Sequence, residues 1–232
     1  LRKPLTCAGF YYHSYCVSSV SLPQAIGAPG VATFGGRIYI VGGFTGAAIA
    51  TNVRYVSVNY DGSLGAWASA DLTTIGAVDM SYTFAYARAN PSAAGSVPGH
   101  LFMFGGCAST TSGPGCGSYT DSVVKCNIST AGVPSGCTET GQTQIGTPTG
   151  AGSAGLGAHV GAVYANYIYL IGGLGDGVAD LTEVRYARFD DNNNVIEADG
   201  AGTASWTLTS NSMNTGRRRG SGFGYNGFLY VT

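Results

Sequence analysis

Apolar positions along the chain gather into short runs that end in glycine. Ile38-Tyr39-Ile40-Val41-Gly42-Gly43 recurs as Leu101-Phe102-Met103-Phe104-Gly105-Gly106 and as Ile168-Tyr169-Leu170-Ile171-Gly172-Gly173. A fourth copy opens at Phe228-Leu229-Tyr230-Val231-Thr232. Continuous apolar runs rich in β-branched and aromatic residues predict strands buried on both faces. Before each run lies a second apolar or glycine-rich segment, at 29–34, 81–86, 159–164 and 222–225. The links Gly35-Gly36, Ala165-Asn166 and Asn226-Gly227 suit the positive φ of tight hairpin turns. In the second copy the link runs from about Ala87 to Gly99, which predicts a long exposed loop.

After each Gly-Gly pair a polar loop is expected, then a third strand. Val53-Arg54-Tyr55-Val56-Ser57-Val58 and Val184-Arg185-Tyr186-Ala187-Arg188-Phe189 alternate with period two, and Ser122 to Ile128 takes their place in the middle copy. A turn follows at Asp61-Gly62 and Asp199-Gly200, then Trp67 or Trp206, each expected on a short outer strand that packs between sheets. The middle copy has no tryptophan, so its outer strand is expected to be the least regular. No segment has helical periodicity, and the chain's 38 glycines favour turns and strands. The copies are spaced by about 60 to 67 residues, enough for one four-stranded sheet each.

The apolar strand ending in Gly-Gly, the tyrosine at Tyr55 or Tyr186 and the tryptophan at Trp67 or Trp206 resemble the kelch motif. The phrase from Asn59 to Trp67 is similar to the variant found in secreted prokaryotic kelch-like proteins. The resemblance runs from about Pro29 onward and implies an all-β fold, a kelch-like β-propeller or partial propeller of four-stranded antiparallel blades. A single domain over 1–232 is expected, with repeats at roughly 29–80, 81–154 and 155–216 and the start of another at 217–232. A first residue that is not Met and an end inside a strand are expected of a piece of a longer or processed polypeptide.

Composition narrows the function. Net charge is −1 and 10% of residues are charged, which removes the electrostatic basis for binding nucleic acid; Arg217-Arg218-Arg219 is the only basic run. No window reads as a transmembrane helix. The six cysteines fall into local pairs, Cys7 with Cys16, Cys107 with Cys116 and Cys126 with Cys137, the simplest of fifteen connectivities. Loop disulfides suit an oxidising compartment, and zinc-type spacings are absent. Asn127-Ile128-Ser129 matches the N-glycosylation acceptor pattern.

Catalytic patterns are weak. His13, His100 and His159 occupy unrelated repeat positions, and no G-x-S-x-G elbow occurs. A glycosidase needs two carboxylates across one cleft, for which Asp61, Asp121, Asp176, Asp180 and Glu183 are the candidates. Asp121 and Asp180 recur in similar loop positions, as repeated loop hydrogen bonds do. Asp190 to Asn194 suits a polar turn better than a calcium loop. Tyr11, Tyr12 and Tyr15, between Cys7 and Cys16, form a cluster able to stack on a sugar or meet a partner.

The expectation is a non-catalytic, secreted or cell-surface module without cofactor or metal, binding a protein or glycan or building a surface assembly such as an adhesin, sheath or filament. The alternative is a secreted carbohydrate-active enzyme on the same scaffold.

Overall fold

A computed structural model of the chain describes residues 20–72, 83–92, 97–110, 116–139, 145–152, 155–176, 179–198 and 206–232. Residues 7–8, 15–16 and 108–110 are described by their backbone alone. All regular structure among them is antiparallel β. A short ladder joins β1 (Cys7–Ala8) to β2 (Tyr15–Cys16), with Cys7 opposite Cys16.

The first sheet has the order β3 (Gly30–Phe34), β4 (Arg37–Val41), β5 (Asn52–Ser57), β6 (Ala68–Asp71). The second runs β7 (Phe84–Ala89), β8 (Gly99–Thr110), β9 (Cys116–Ile128), β10 (Pro134–Glu139). In the third, β11 (Val160–Tyr164), β12 (Tyr167–Ile171) and β13 (Val184–Phe189) are followed by β14 (Val195–Glu197) and β15 (Thr207–Leu208), both paired with β13. A hairpin of β16 (Gly222–Tyr225) and β17 (Phe228–Val231) comes last.

Local backbone demands follow the glycine pattern. Both central residues of the three tight hairpins have positive φ, from 47° at Ala165 to 84° at Gly227, as type I′ turns require. Each Gly-Gly pair also turns left-handed, for example 55° at Gly42 and 96° at Gly43. At Gly43 a Cβ would strike the Ile26 side chain and the Gly27 carbonyl, so the pair both bends the chain and admits its neighbour.

Four expectations need correction. The expected loop after Gly105-Gly106 is ladder instead: β8 continues to Thr110, β9 starts at Cys116, and register shifts absorb the glycines. The link begun at Ala87 is shorter, because β7 runs to Ala89. The middle sheet's outer strand is the longest of the outer strands, though bulged between Ser135 and Thr138, while the third sheet divides that role between β14 and β15. Trp67 and Trp206 stand just before β6 and β15 rather than on them.

Two disulfides lie in the second sheet. Cys107–Cys116 ties the extended arm of β8 and β9, with Cα atoms 5.6 Å apart. Cys126–Cys137 ties β9 to β10, with Cα atoms 3.9 Å apart. Both match the expected local pairing, and no cysteine among the described residues is free.

The core explains why β8 reads as unbroken apolar sequence. Leu101 and Met103 point to one side, into a cluster with Tyr39, Val41 and Val53 of the first sheet. Phe102 and Phe104 point to the other, among Ile168, Leu170, Phe189 and Trp206 of the third. Trp206 meets Phe104 edge-on, with ring centroids 5.7 Å apart. The alternating side chains of one strand therefore weld two neighbours to the middle sheet. The turn at 190–194 adds polar ties: Asn193 Nδ2 donates to the Ala89 carbonyl, and Lys125 Nζ to the Asn192 carbonyl.

Candidate functional site

The first strands of the sheets approach one another without sharing a ladder, and small residues set how closely. A Cβ on Gly161 of β11 would fall within the Phe84 ring of β7. One on Gly30 of β3 would stand 2.9 Å from the Ala85 Cβ, and one on Gly222 of β16 2.5 Å from a Val160 methyl. The beginnings of these strands surround a cavity of ≈ 570 Å³, bordered by Val31, Thr83, Ala158, His159, Arg219 and Ser221 among others. Ala28, Ala158 and Arg219 stand at the same distance before the hairpin turns that open at Gly35, Ala165 and Asn226, and all have positive φ (49°, 54° and 57°). Outside glycine that conformation is uncommon, so the repeated kink marks a shaped rim.

His159 is the unusual group at this rim. It is buried, and neither ring nitrogen has a hydrogen-bond partner. Burial lowers its pKa to about 4, and the nearby Phe104 carbonyl only partly opposes that. The ring is therefore neutral at pH 7, with one donor and one acceptor. The Phe104 carbonyl accepts from Thr83 Oγ1 at 3.0 Å. His100 is also buried; its pKa is lowered to about 4 by burial and then by the charges of Lys125 and Arg88. Its Nδ1 lies 3.0 Å from Asn193 Nδ2, a packing role.

Most of the carboxylates considered for catalysis bond nearby groups. Asp61 Oδ1 accepts from the Ser63 hydroxyl and amide, which lower its pKa. Asp176 accepts from the Tyr119 amide at 3.3 Å. Asp180 pairs with Arg218 at 3.1 Å. Burial pushes the Glu183 carboxyl up, but bonds from Thr149 and Arg185 outweigh it and hold the pKa below the usual range. Asp121 lies on β9, where its carbonyl accepts from the Ile145 amide. Asp190 bonds the amides of Asn192 and Asn194 within its own turn. No group of three or more His, Cys, Asp or Glu poised to hold a metal occurs among the described residues.

Tyr11, Tyr12 and His13 lie outside the described residues, and Tyr15 is described only as backbone opposite Ala8. Asn127 is half-buried on β9, opposite His100 of β8 and Ser135 of β10. Arg54 and Arg185 are the charged residues that strand periodicity alone leaves unremarked. Both are buried on the third strand of their sheets, at matching positions opposite Ile40 and Leu170. An arginine between apolar neighbours is the sequence signal for them. No helix among the described residues is long and apolar enough to cross a membrane. No protein-family model matches the chain, and no curated protein matches it.

Proposed function

We propose that the sheets are blades of a kelch-like β-propeller and that the chain is a non-catalytic, secreted or cell-surface binding module for a protein or glycan. The observation that carries this reading is the shared rim: equivalent positions before β3, β11 and β16 enclose one cavity with the start of β7. A radial arrangement of sheets places their first strands around one axis in this way. The carboxylates bonded within loops and strand ends support recognition over hydrolysis, because a glycosidase needs two acids free to face the substrate. The two disulfides suit an oxidising environment.

Val31 offers the test. It borders the cavity and is 53% exposed, so Val31→Trp narrows the mouth without touching the core. The purified protein is applied to arrayed polysaccharides and extracellular proteins. Binding that Val31→Trp abolishes, with no release of reducing ends, supports the module. Hydrolysis of a polysaccharide by the wild type overturns it in favour of the enzyme.

Surface assembly is the second reading, supported by the last hairpin. Phe223, Tyr225, Phe228 and Tyr230 are between 43% and 66% exposed. Large exposed apolar patches mark interaction sites. Sedimentation that rises with concentration, and falls back in Phe228→Ser, supports assembly; a concentration-independent monomer excludes it.

A further inference from the structure

The first and third sheets carry the same buried arginine with different company. In the third sheet Arg185 is fully partnered. Its Nε and Nη2 donate to Glu183 Oε2 at 3.1 and 2.9 Å, and Nη1 and Nη2 donate to the carbonyls of Ile145 and Thr147. Two residues before the arginine, on the same strand face, stands the carboxylate that neutralises it. In the first sheet Arg54 occupies the matching position, and the residue two before it is Asn52.

Arg54 is 5% exposed, yet it forms no ion pair among the described residues. Nη2 donates to Gln24 Oε1 at 2.6 Å, while buried Nη1 has no partner. Burial accordingly lowers its pKa. Two further buried atoms nearby are orphaned: Asn52 Oδ1, an acceptor, and Trp67 Nε1, a donor. All three residues line one open cavity of ≈ 570 Å³, with Pro23, Gln24, Ala68 and Ser69 completing the wall. The indole nitrogen of Trp206 is orphaned as well, so the informative difference between the sheets is the missing negative charge. An unpaired buried cation is costly, and a carboxylate that reaches it forms a charge-assisted hydrogen bond, which for arginine is often forked.

We propose that the cavity bordered by Asn52, Arg54 and Trp67 binds a hydroxylated carboxylate of the uronic-acid class. The ligand's carboxylate takes the place that Glu183 fills beside Arg185. A hydroxyl proton is donated to Asn52 Oδ1, and a ligand oxygen accepts from Trp67 Nε1. The apolar flank of the indole gives a sugar ring a surface to lie against. The site needs only the repeat correspondence between the first and third sheets, so it stands whether or not the sheets close into a ring and whatever the axial cavity binds.

The test uses the intact chain and D-glucuronate, with glucose and acetate as the hydroxyl-only and carboxylate-only arms. Indole N–H resonances report the site, because the chain has two tryptophans and only Trp67 lines this cavity. Glucuronate is expected to shift the Trp67 signal and leave Trp206 in place, with glucose and acetate about tenfold weaker or more. Asn52→Glu supplies the carboxylate internally. It is expected to fold, to melt higher than the wild type without ligand, and to lose glucuronate binding by about tenfold or more. Arg54→Lys, which keeps charge but loses the fork, is expected to weaken binding. No Trp67 shift with glucuronate overturns the proposal. Equal binding of acetate overturns the acidic-sugar assignment. Unchanged binding by Asn52→Glu overturns the role of Arg54.

Discussion

Tyr39 and Tyr55 face each other across β4 and β5 with ring centroids 6.1 Å apart, and Tyr169 and Tyr186 repeat the pair at 6.0 Å in the third sheet. Tyr39 is fully buried, and its hydroxyl donates to the Gly132 carbonyl of the second sheet at 3.0 Å. One side chain thus joins a cross-strand stack to an inter-sheet hydrogen bond. Tyr39→Phe is expected to cost about 1 kcal/mol in urea unfolding, the usual size of one buried hydrogen bond. Tyr39→Ala removes the ring as well and is expected to cost about 3–5 kcal/mol.

Gly161 tests the close approach of the sheets' first strands. Its missing Cβ leaves room for the Phe84 ring, which stacks on Phe104 at 5.8 Å. Gly161→Ala is expected to destabilise by about 1–3 kcal/mol through overpacking. At Gly152 a Cβ meets nothing within 4 Å, so Gly152→Ala is the matched control and is expected to shift the melting midpoint little.

The Arg185–Glu183 pair is nearly dry, with side chains 9% and 12% exposed. Removing the carboxylate leaves a buried guanidinium with neutral partners only. Glu183→Ala is expected to cost about 3–5 kcal/mol. Glu183→Gln retains an acceptor for the Thr149 amide and is expected to cost less, as measured by denaturant midpoints of both variants.

Much of the fold is legible in the chain because its main signals are local. The Gly-Gly pairs, the tight-turn dipeptides and the period-two third strands each demand one backbone shape, and all three appear where expected. The extended arm of β8 and β9 was not legible, because Gly105-Gly106 looks like the pairs that end β4 and β12. What differs is a pairing continued beyond them through Cys107 and Tyr119, a non-local property. The functional site was harder still. His159 and Arg54 are distinguished by missing partners, which no neighbouring residue in sequence reveals. For Arg54 the clue was present as Asn52 in the place of Glu183, and it gains meaning only once Arg185 is seen bonded to that glutamate.

Stability is expected to depend on pH through His159. Its folded pKa, about 4, lies below the 6.5 of an unfolded histidine. Above pH 6.5 the ring is neutral in both states and stability is undiminished. As pH falls from 6.5 toward 4, the unfolded chain gains a proton that the folded chain refuses, so stability falls by up to about 3 kcal/mol. His100 adds in the same direction. Urea midpoints between pH 7 and 4.5 are expected to drop for the wild type and to drop less steeply in His159→Phe, where His100 remains. An equal slope in the two proteins rules out this origin.

The two-sided strand β8 has a mechanical consequence. With Leu101 and Met103 serving one neighbour and Phe102 and Phe104 the other, the middle sheet cannot loosen alone. Failure there propagates in both directions, as in a keystone, while its lengthened arm and paired sulfurs keep it from being the first to yield. The first and third sheets are thereby tied to the stability of the second.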